Sequence, residues 1–160
     1  MLKKFARTMA YIGGIVTGFY LFASAPGIHK KTKWQHLTGW DYAHRGLYDN
    51  EHGIPENSMA AFRRAVDKGY GIELDVHLTA DNQLVVFHDD TLIRMCGMNK
   101  KISSFLYSDL MQLRLLGTEE GIPLFKDVLE LIDGKVPLII ELKVDGSNQN
   151  LLCPLVWQLL

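Results

Sequence analysis

The segment from Gly71 to Thr79, GIELDVHLT, constrains the fold more than any other part of the chain. Alternate residues of a β-strand point to opposite sides, so Glu73, Asp75 and His77 would share one face while the apolar residues between them share the other. An ordinary core strand does not carry two carboxylates on one face. Close carboxylates repel by roughly 4 kcal/mol per pair at an effective dielectric near 20. Either these acidic groups lie apart, or they hold a cation.

Other segments predict further strands that carry polar residues at or near their C-terminal ends. The predicted strands run from Trp40 to His44, from Gly71 to His77, from Leu84 to His88 and from Val136 to Leu142. The first is followed directly by Arg45, the third ends in the run HDD at residues 88–90, and the last contains Glu141-x-Lys143. Carboxyl ends of parallel strands meet at one edge of a sheet, so these side chains are predicted to share one site.

Helices are predicted between and after the strands. They run from a cap at Asn57 or Ser58 to Gly69, from Ser108 to about Leu116, from Leu124 to Ile132, and from Asn150 to Leu160. Strands that alternate with helices predict an α/β fold, here a parallel TIM-type (β/α) barrel. A complete eight-stranded barrel takes about 250 residues. We therefore expect about four strands, the first half of such a barrel, truncated at the C-terminus.

Several strings resemble the glycerophosphodiester phosphodiesterase family, in order and with similar spacing. They are AHRG (43–46), PENSMAAF (55–62), GIELDVHLT (71–79), VVFHDDTLIR (85–94), IPLFKDVL (122–129) and IIELK (139–143). The resemblance implies metal-dependent hydrolysis of glycerophosphodiesters to glycerol 3-phosphate and an alcohol. It covers residues 41 to about 157, so the expected domain is 40–160.

In the family pattern, the Glu-x-Asp pair and the glutamate of Glu-x-Lys bind the metal, which here implies Glu73, Asp75 and Glu141. Three carboxylates without a cysteine favour one hard divalent cation, Mg²⁺ or Ca²⁺, over Zn²⁺. The alternative is that Glu141 merely pairs with Lys143 on its own strand face.

The resemblance also implies that His44 and His88 are the catalytic histidines. One would act as base and the other as acid, and the sequence leaves open which does which. Arg45 resembles the phosphate-binding arginine of the family, and Lys143 would add a second positive charge there. Possible supporting residues around these groups are Glu56, His77 and Asp89, whereas Asn57 is predicted to be structural.

The N-terminal region predicts a different environment. Residues 9–26 carry no charge and follow three basic residues, Lys3, Lys4 and Arg7. This pattern predicts a membrane anchor over residues 1–27, or a signal segment whose cleavage would release a secreted protein. Residues 28–39 would form a linker. The net charge of −1 gives no case for nucleic-acid binding.

Two alternatives to hydrolysis of soluble glycerophosphodiesters stay open. An anchor near the bilayer would favour lysophospholipase D or phospholipase-like activity on membrane lipid, with a lysolipid as substrate. Alternatively, half a barrel leaves sheet edges and core exposed, which predicts an inactive, membrane-tethered fragment.

Overall fold

The computed structural model of the protein describes residues 2–24 and 35–160. The chain divides into two compact units, residues 1–35 and residues 36–160. The described part of the first unit contains helix α1 (Leu2–Ser24). No helix in the two described ranges combines the length and the apolar character that crossing a bilayer requires. The structure thus gives no support to the predicted transmembrane helix. Residues 1 and 25–27 of the predicted anchor and residues 28–34 of the predicted linker lie outside the described residues.

The second unit is built on a sheet centred on strand β2. Its strands are β1 (Tyr42–His44), β2 (Gly71–Leu78), β3 (Leu84–Val86) and β4 (Leu138–Leu142). β1 and β4 run parallel to β2, and both pair with Ile72, so they lie on opposite edges of β2. β3 and β4 both pair with Val76. β3 therefore lies on the same edge as β1, beyond its end.

Strand β3 runs antiparallel to β2, so the predicted all-parallel arrangement is wrong at this strand. Only residues 79–83 connect the two strands. The Thr79 N–H donates to the Gln83 carbonyl at 3.0 Å, and the Gln83 N–H donates to Thr79 Oγ1 at 2.9 Å. A parallel connection needs a crossover of about a dozen residues or more. This tight turn can form only a hairpin.

Five helices follow β1 in the second unit. They are α2 (Met59–Lys68), α3 (Ile93–Cys96), α4 (Tyr107–Leu110), α5 (Phe125–Ile132) and α6 (Gln149–Leu159), with short 3₁₀ turns at Asn50–His52, Ile102–Ser104 and Leu115–Gly117. The predicted helix from Ser108 to Leu116 is too long, because α4 ends at Leu110 and Leu116 takes φ 52°. The predicted bounds of α5 differ from the structure by one residue.

The apolar face of β2 forms the centre of the core. Ile72, Leu74 and Val76 are fully buried against Phe62 of α2 and Phe125 of α5. Burial of each such side chain stabilises the fold by about 1.5–3 kcal/mol. A second cluster lies around β3 and the segment that follows it; its buried members include Val85, Phe87, Leu92, Ile102, Leu110 and Leu115. Because the apolar side chains of β2 pack against α2 and α5, its charged side chains lie on the other face of the sheet.

Candidate active site

The structure brings the three predicted metal ligands together. Glu73, Asp75 and Glu141 each offer a carboxylate oxygen, and these oxygens lie within 4.8 Å of one another. The register of β2 and β4 places Asp75 beside Glu141. Metal–oxygen bonds of about 2.3–2.6 Å allow ligand oxygens to lie up to about 5 Å apart around one Ca²⁺ ion. The spacing therefore fits one shared cation.

Asp75 is the most buried of these ligands. Its Oδ2 accepts a hydrogen bond from Asn57 Nδ2 at 2.9 Å. Its Oδ1 is buried and forms an ion pair with Lys143 Nζ at 3.0 Å. A buried carboxylate is costly unless it is paired, and Asn57 and Lys143 supply its partners. The donor set of the cluster, all carboxylate oxygens, fits a hard divalent cation.

The electrostatics show how crowded the acidic cluster is. Burial and the neighbouring Asp75 raise the pKa of Glu73 above its usual value. Lys143 Nζ also lies 2.7 Å from Glu141 Oε1, so the predicted pair on one strand face exists. Burial alone would lower the pKa of Lys143, but its bonds to Glu141 and Asp75 raise it. Lys143 thus neutralises part of the negative charge of the cluster.

Arg45 enters the site because the chain turns sharply after β1. It adopts φ 60°, and its N–H donates to the Glu73 carbonyl at 2.9 Å and to Glu73 Oε2 at 3.2 Å. The next residue, Gly46, has φ 80°, and a Cβ there would lie 2.9 Å from the Ala61 Cβ. Only glycine fits this approach to α2. Arg45 Nη1 donates to Glu56 Oε1 at 2.8 Å, and Nε lies 3.8 Å from Asp75 Oδ2.

The predicted catalytic histidines have different surroundings. His44 is exposed, and its Nε2 lies 3.8 Å from Glu73 Oε2. His88 is more enclosed, and its Nδ1 lies 2.7 Å from Asp89 Oδ1. His77 is buried on the charged face of β2, with Nε2 3.3 Å from the His88 carbonyl oxygen. Burial lowers the pKa of His77, which favours a neutral ring.

Arg94 is a site residue that the sequence analysis missed. It donates to Asp89 through Nε and Nη2 at 2.8 and 2.9 Å, and to Glu56 through Nη1 and Nη2 at 3.0 and 2.7 Å. Bonds to Arg94, partly opposed by burial, lower the pKa of Asp89 to about 2. Burial alone would raise the pKa of Glu56, but its bonds to Arg94 and Arg45 lower it to about 2. The only sequence signal is the place of Arg94 at the end of VVFHDDTLIR.

The structure decides between the two predicted candidates for the cap of α2. Ser58, not Asn57, caps α2, because Ser58 Oγ accepts a hydrogen bond from the Ala61 N–H at 3.2 Å. Asn57 takes φ 54° and directs its amide to Asp75. It therefore supports a carboxylate of the acidic cluster.

Comparison with known proteins identifies the family. The model of the glycerophosphoryl diester phosphodiesterase family matches residues 44–157. The chain belongs to this family. The match begins at His44 and includes the acidic cluster, Arg45, His88 and Lys143.

The relatives include proteins named lysophospholipase D and proteins named glycerophosphodiester phosphodiesterase. The lysophospholipase D GDPD1 of Rattus norvegicus is 32% identical over 152 residues, covering 87% of this chain and 47% of the relative. A glycerophosphodiester phosphodiesterase of Bacillus altitudinis is 37% identical over 113 residues, covering 66% of this chain and 45% of the relative. The chain thus spans about half the length of these phosphodiesterases.

Solved structures of the family share the fold. An Oleispira antarctica phosphodiesterase in complex with the product sn-glycerol-3-phosphate matches with a TM-score of 0.68 and 27% identity, over 77% of this chain and 52% of that chain. A Parabacteroides distasonis glycerophosphodiester phosphodiesterase matches with a TM-score of 0.63 and 36% identity, over 75% and 50% of the two chains. The partly parallel sheet and its helices correspond to part of the TIM-type barrel of this family.

Proposed function

We propose that the protein is a metal-dependent phosphodiesterase that hydrolyses glycerophosphodiesters to glycerol 3-phosphate and an alcohol. The observation that carries the proposal is the convergence of Glu73, Asp75 and Glu141 within 4.8 Å, beside Arg45, in a chain of this family. The product complex of the Oleispira antarctica phosphodiesterase supports the substrate class.

The three carboxylates would hold one Mg²⁺ or Ca²⁺ ion. When bound, such an ion stabilises negative charge on a phosphate and polarises phosphorus for attack. Asp75 would contribute its buried Oδ1, which now pairs with Lys143, while Asn57 holds the other oxygen of the same carboxylate. The choice between the two metals depends on coordination number, which the carboxylates alone do not fix.

Arg45 and Lys143 would bind the phosphate. The hydrogen bond from Arg45 Nη1 to Glu56 restrains the guanidinium, a group that matches phosphate oxygens with parallel donors. Lys143, which follows β4 on the other edge of β2, would contribute a point charge. Both cations would stabilise charge that develops on the phosphate oxygens during cleavage.

His44 and His88 would move the protons. Phosphodiester cleavage needs one proton removed from the attacking oxygen and another delivered to the leaving alkoxide. Because the Asp89 carboxylate accepts, His88 Nδ1 donates to it, which leaves Nε2 as the nitrogen that exchanges a proton. His44, beside Glu73 and exposed, would serve the other proton transfer.

The test is hydrolysis of glycerophosphocholine by the purified protein with Mg²⁺ or Ca²⁺ and with a chelator. We expect release of glycerol 3-phosphate that depends on the cation and falls to background in Glu141→Gln. The control Glu130→Gln removes a carboxylate from an exposed position of α5 and should stay active. A folded protein that releases no product with either cation would contradict the proposal and favour the inactive fragment.

A second candidate is lysophospholipase D activity. The match to the rat lysophospholipase D covers 87% of this chain, against 66% for the Bacillus altitudinis phosphodiesterase. Comparing turnover of lysophosphatidylcholine and glycerophosphocholine decides between the two. Membrane association through residues 9–26, or secretion after cleavage there, stays a prediction that vesicle co-sedimentation and N-terminal sequencing would test.

A further inference from the structure

We propose that Arg94 is a positioning residue, which fixes His88 through Asp89 and links it to Arg45 through Glu56. The five side chains form a continuous series of contacts, called here the ion-pair chain: Arg45, Glu56, Arg94, Asp89 and His88. The inference rests on the proposed function, because His88 and Arg45 act in that reaction. The proposed mechanism itself assigns no role to Arg94.

One side of Arg94 determines the orientation of Asp89. Its Nε and Nη2 donate to the two oxygens of that carboxylate at 2.8 and 2.9 Å. Such paired contacts fix the plane of the carboxylate as well as its position. Asp89 Oδ1 accepts from Arg94 Nη2 and is also the oxygen 2.7 Å from His88 Nδ1. A fixed Asp89 therefore fixes both the ring orientation and the tautomer of His88.

The other side of Arg94 determines the position of Glu56. Nη1 and Nη2 donate to its two oxygens, and Glu56 Oε1 lies between Arg94 Nη2 and Arg45 Nη1, at 2.7 and 2.8 Å. Asn50 Nδ2 lies 3.3 Å from Glu56 Oε2. The Arg45 end of the chain therefore keeps several supports of its own, whereas Asp89 depends mainly on Arg94.

Burial distinguishes the Glu56 end of the ion-pair chain from a surface ion pair, whereas the contacts of Arg94 to Asp89 are partly exposed. Exposed pairs contribute little, because solvent screens them and the side chains lose entropy. Here Glu56 is 5% exposed, and one planar guanidinium makes four hydrogen bonds to two carboxylates. A lysine at position 94 would restore the charge but could not donate in one plane to both partners.

The first experiment compares Arg94→Gln, Arg94→Lys and Asp89→Asn in steady-state hydrolysis of glycerophosphocholine. We expect Arg94→Gln to lower kcat by about 10- to 100-fold, the usual range for residues that orient a functional group, with KM changed by less than about 3-fold. Arg94→Lys should recover only part of kcat. If Arg94 acts through Asp89, the double variant Arg94→Gln/Asp89→Asn should lose no more kcat than the worse of the two single variants. Arg63→Gln, an exposed arginine on α2, is the matched control.

The second measurement does not depend on turnover. In long-range ¹H–¹⁵N spectra, His88 of the wild-type protein should show one tautomer, with the proton on Nδ1. Arg94→Gln should give a mixture of tautomers at His88, while Arg63→Gln should not. If the wild-type protein fails to hydrolyse the diester, the proposed function falls, and the His88 spectra still decide the role of Arg94.

Three results would overturn the inference. One is an unchanged His88 tautomer in a folded Arg94→Gln variant. A second is full recovery of kcat by Arg94→Lys, which would show that charge alone matters. Additive losses in Arg94→Gln and Asp89→Asn would likewise show that Arg94 does not act through Asp89.

Discussion

The contact between Asn57 and Asp75 shows how a residue outside the acidic cluster holds one of its carboxylates in place. Asn57 adopts φ 54°, a conformation that asparagine tolerates better than most residues. Its backbone N–H donates to the Arg45 carbonyl at 2.9 Å, and its amide holds Asp75 Oδ2. The unusual backbone conformation thus places an amide donor beside the most buried carboxylate of the cluster.

We predict that Asn57→Gly weakens binding of Mg²⁺ or Ca²⁺ by about 10- to 100-fold, the usual cost of losing a residue that orients a ligand. Glycine tolerates the positive φ, so the variant removes the contact to Asp75 without straining the backbone. Isothermal titration calorimetry measures the affinity. The control is Asn82→Gly, because Asn82 has φ 60° in the exposed β2–β3 turn. Equal affinity in both variants would refute the role given to Asn57.

At the scale of elements, helix starts show where local sequence decides and where it does not. The sequence predicts a cap at Asn57 or Ser58 for one helix and at Ser108 for another. Ser58 is a true cap, with its Oγ accepting from the Ala61 N–H. Ser108 lies inside α4, which begins after Leu106 and has no side-chain cap.

We predict that Ser58→Ala destabilises the protein by about 1 kcal/mol, the typical cost of losing a cap. The loss of its bond to the Pro55 carbonyl, at 2.6 Å, acts in the same direction. Ser108→Ala should change the free energy of unfolding by less than about 0.5 kcal/mol, as for other surface substitutions. Urea denaturation measures both. A larger loss in Ser108→Ala than in Ser58→Ala would contradict the assignment of the caps.

The same scale explains how much of the molecule could be predicted. Strand β2 and its carboxylate face followed from alternation along a strand, which is a local rule. The grouping of those carboxylates with Glu141 was implied by the family resemblance, and the structure brings the three together. The direction of β3 depended on the length of one turn. Arg94 could not be predicted, because Glu56 lies 38 residues away along the chain and meets it only through the fold.

At the scale of the whole molecule, the ion-pair chain connects three segments that are distant in sequence. Glu56 precedes α2, Arg45 follows β1, and Arg94 lies in α3. A buried carboxylate that joins such segments should make the stability of the unit depend on pH. The pKa of Glu56 in the folded protein is about 2, against 4.5 for an ordinary glutamate.

We predict that this lowered pKa gives the wild-type protein a stability that is fully present above about pH 4.5 and is lost as the pH falls toward 2. The difference in pKa corresponds to about 3 kcal/mol. Glu56→Gln should therefore be less stable than the wild type at pH 7, and the gap should close at low pH. Urea denaturation between pH 7 and pH 2.5 measures it, and Glu130→Gln controls for the loss of one carboxylate.

The difference in stability between wild type and Glu56→Gln separates the effect of Glu56 from that of the acidic cluster. Glu73 has a raised pKa, so its protonation stabilises the fold as the pH falls, which opposes the effect of Glu56. Both proteins contain Glu73, and its contribution cancels in the comparison. A gap between wild type and Glu56→Gln that stays constant from pH 7 to pH 2.5 would show that Glu56 is not held ionised by Arg45 and Arg94. In that case the charge of Glu56 would not be what connects the guanidinium groups of Arg45 and Arg94.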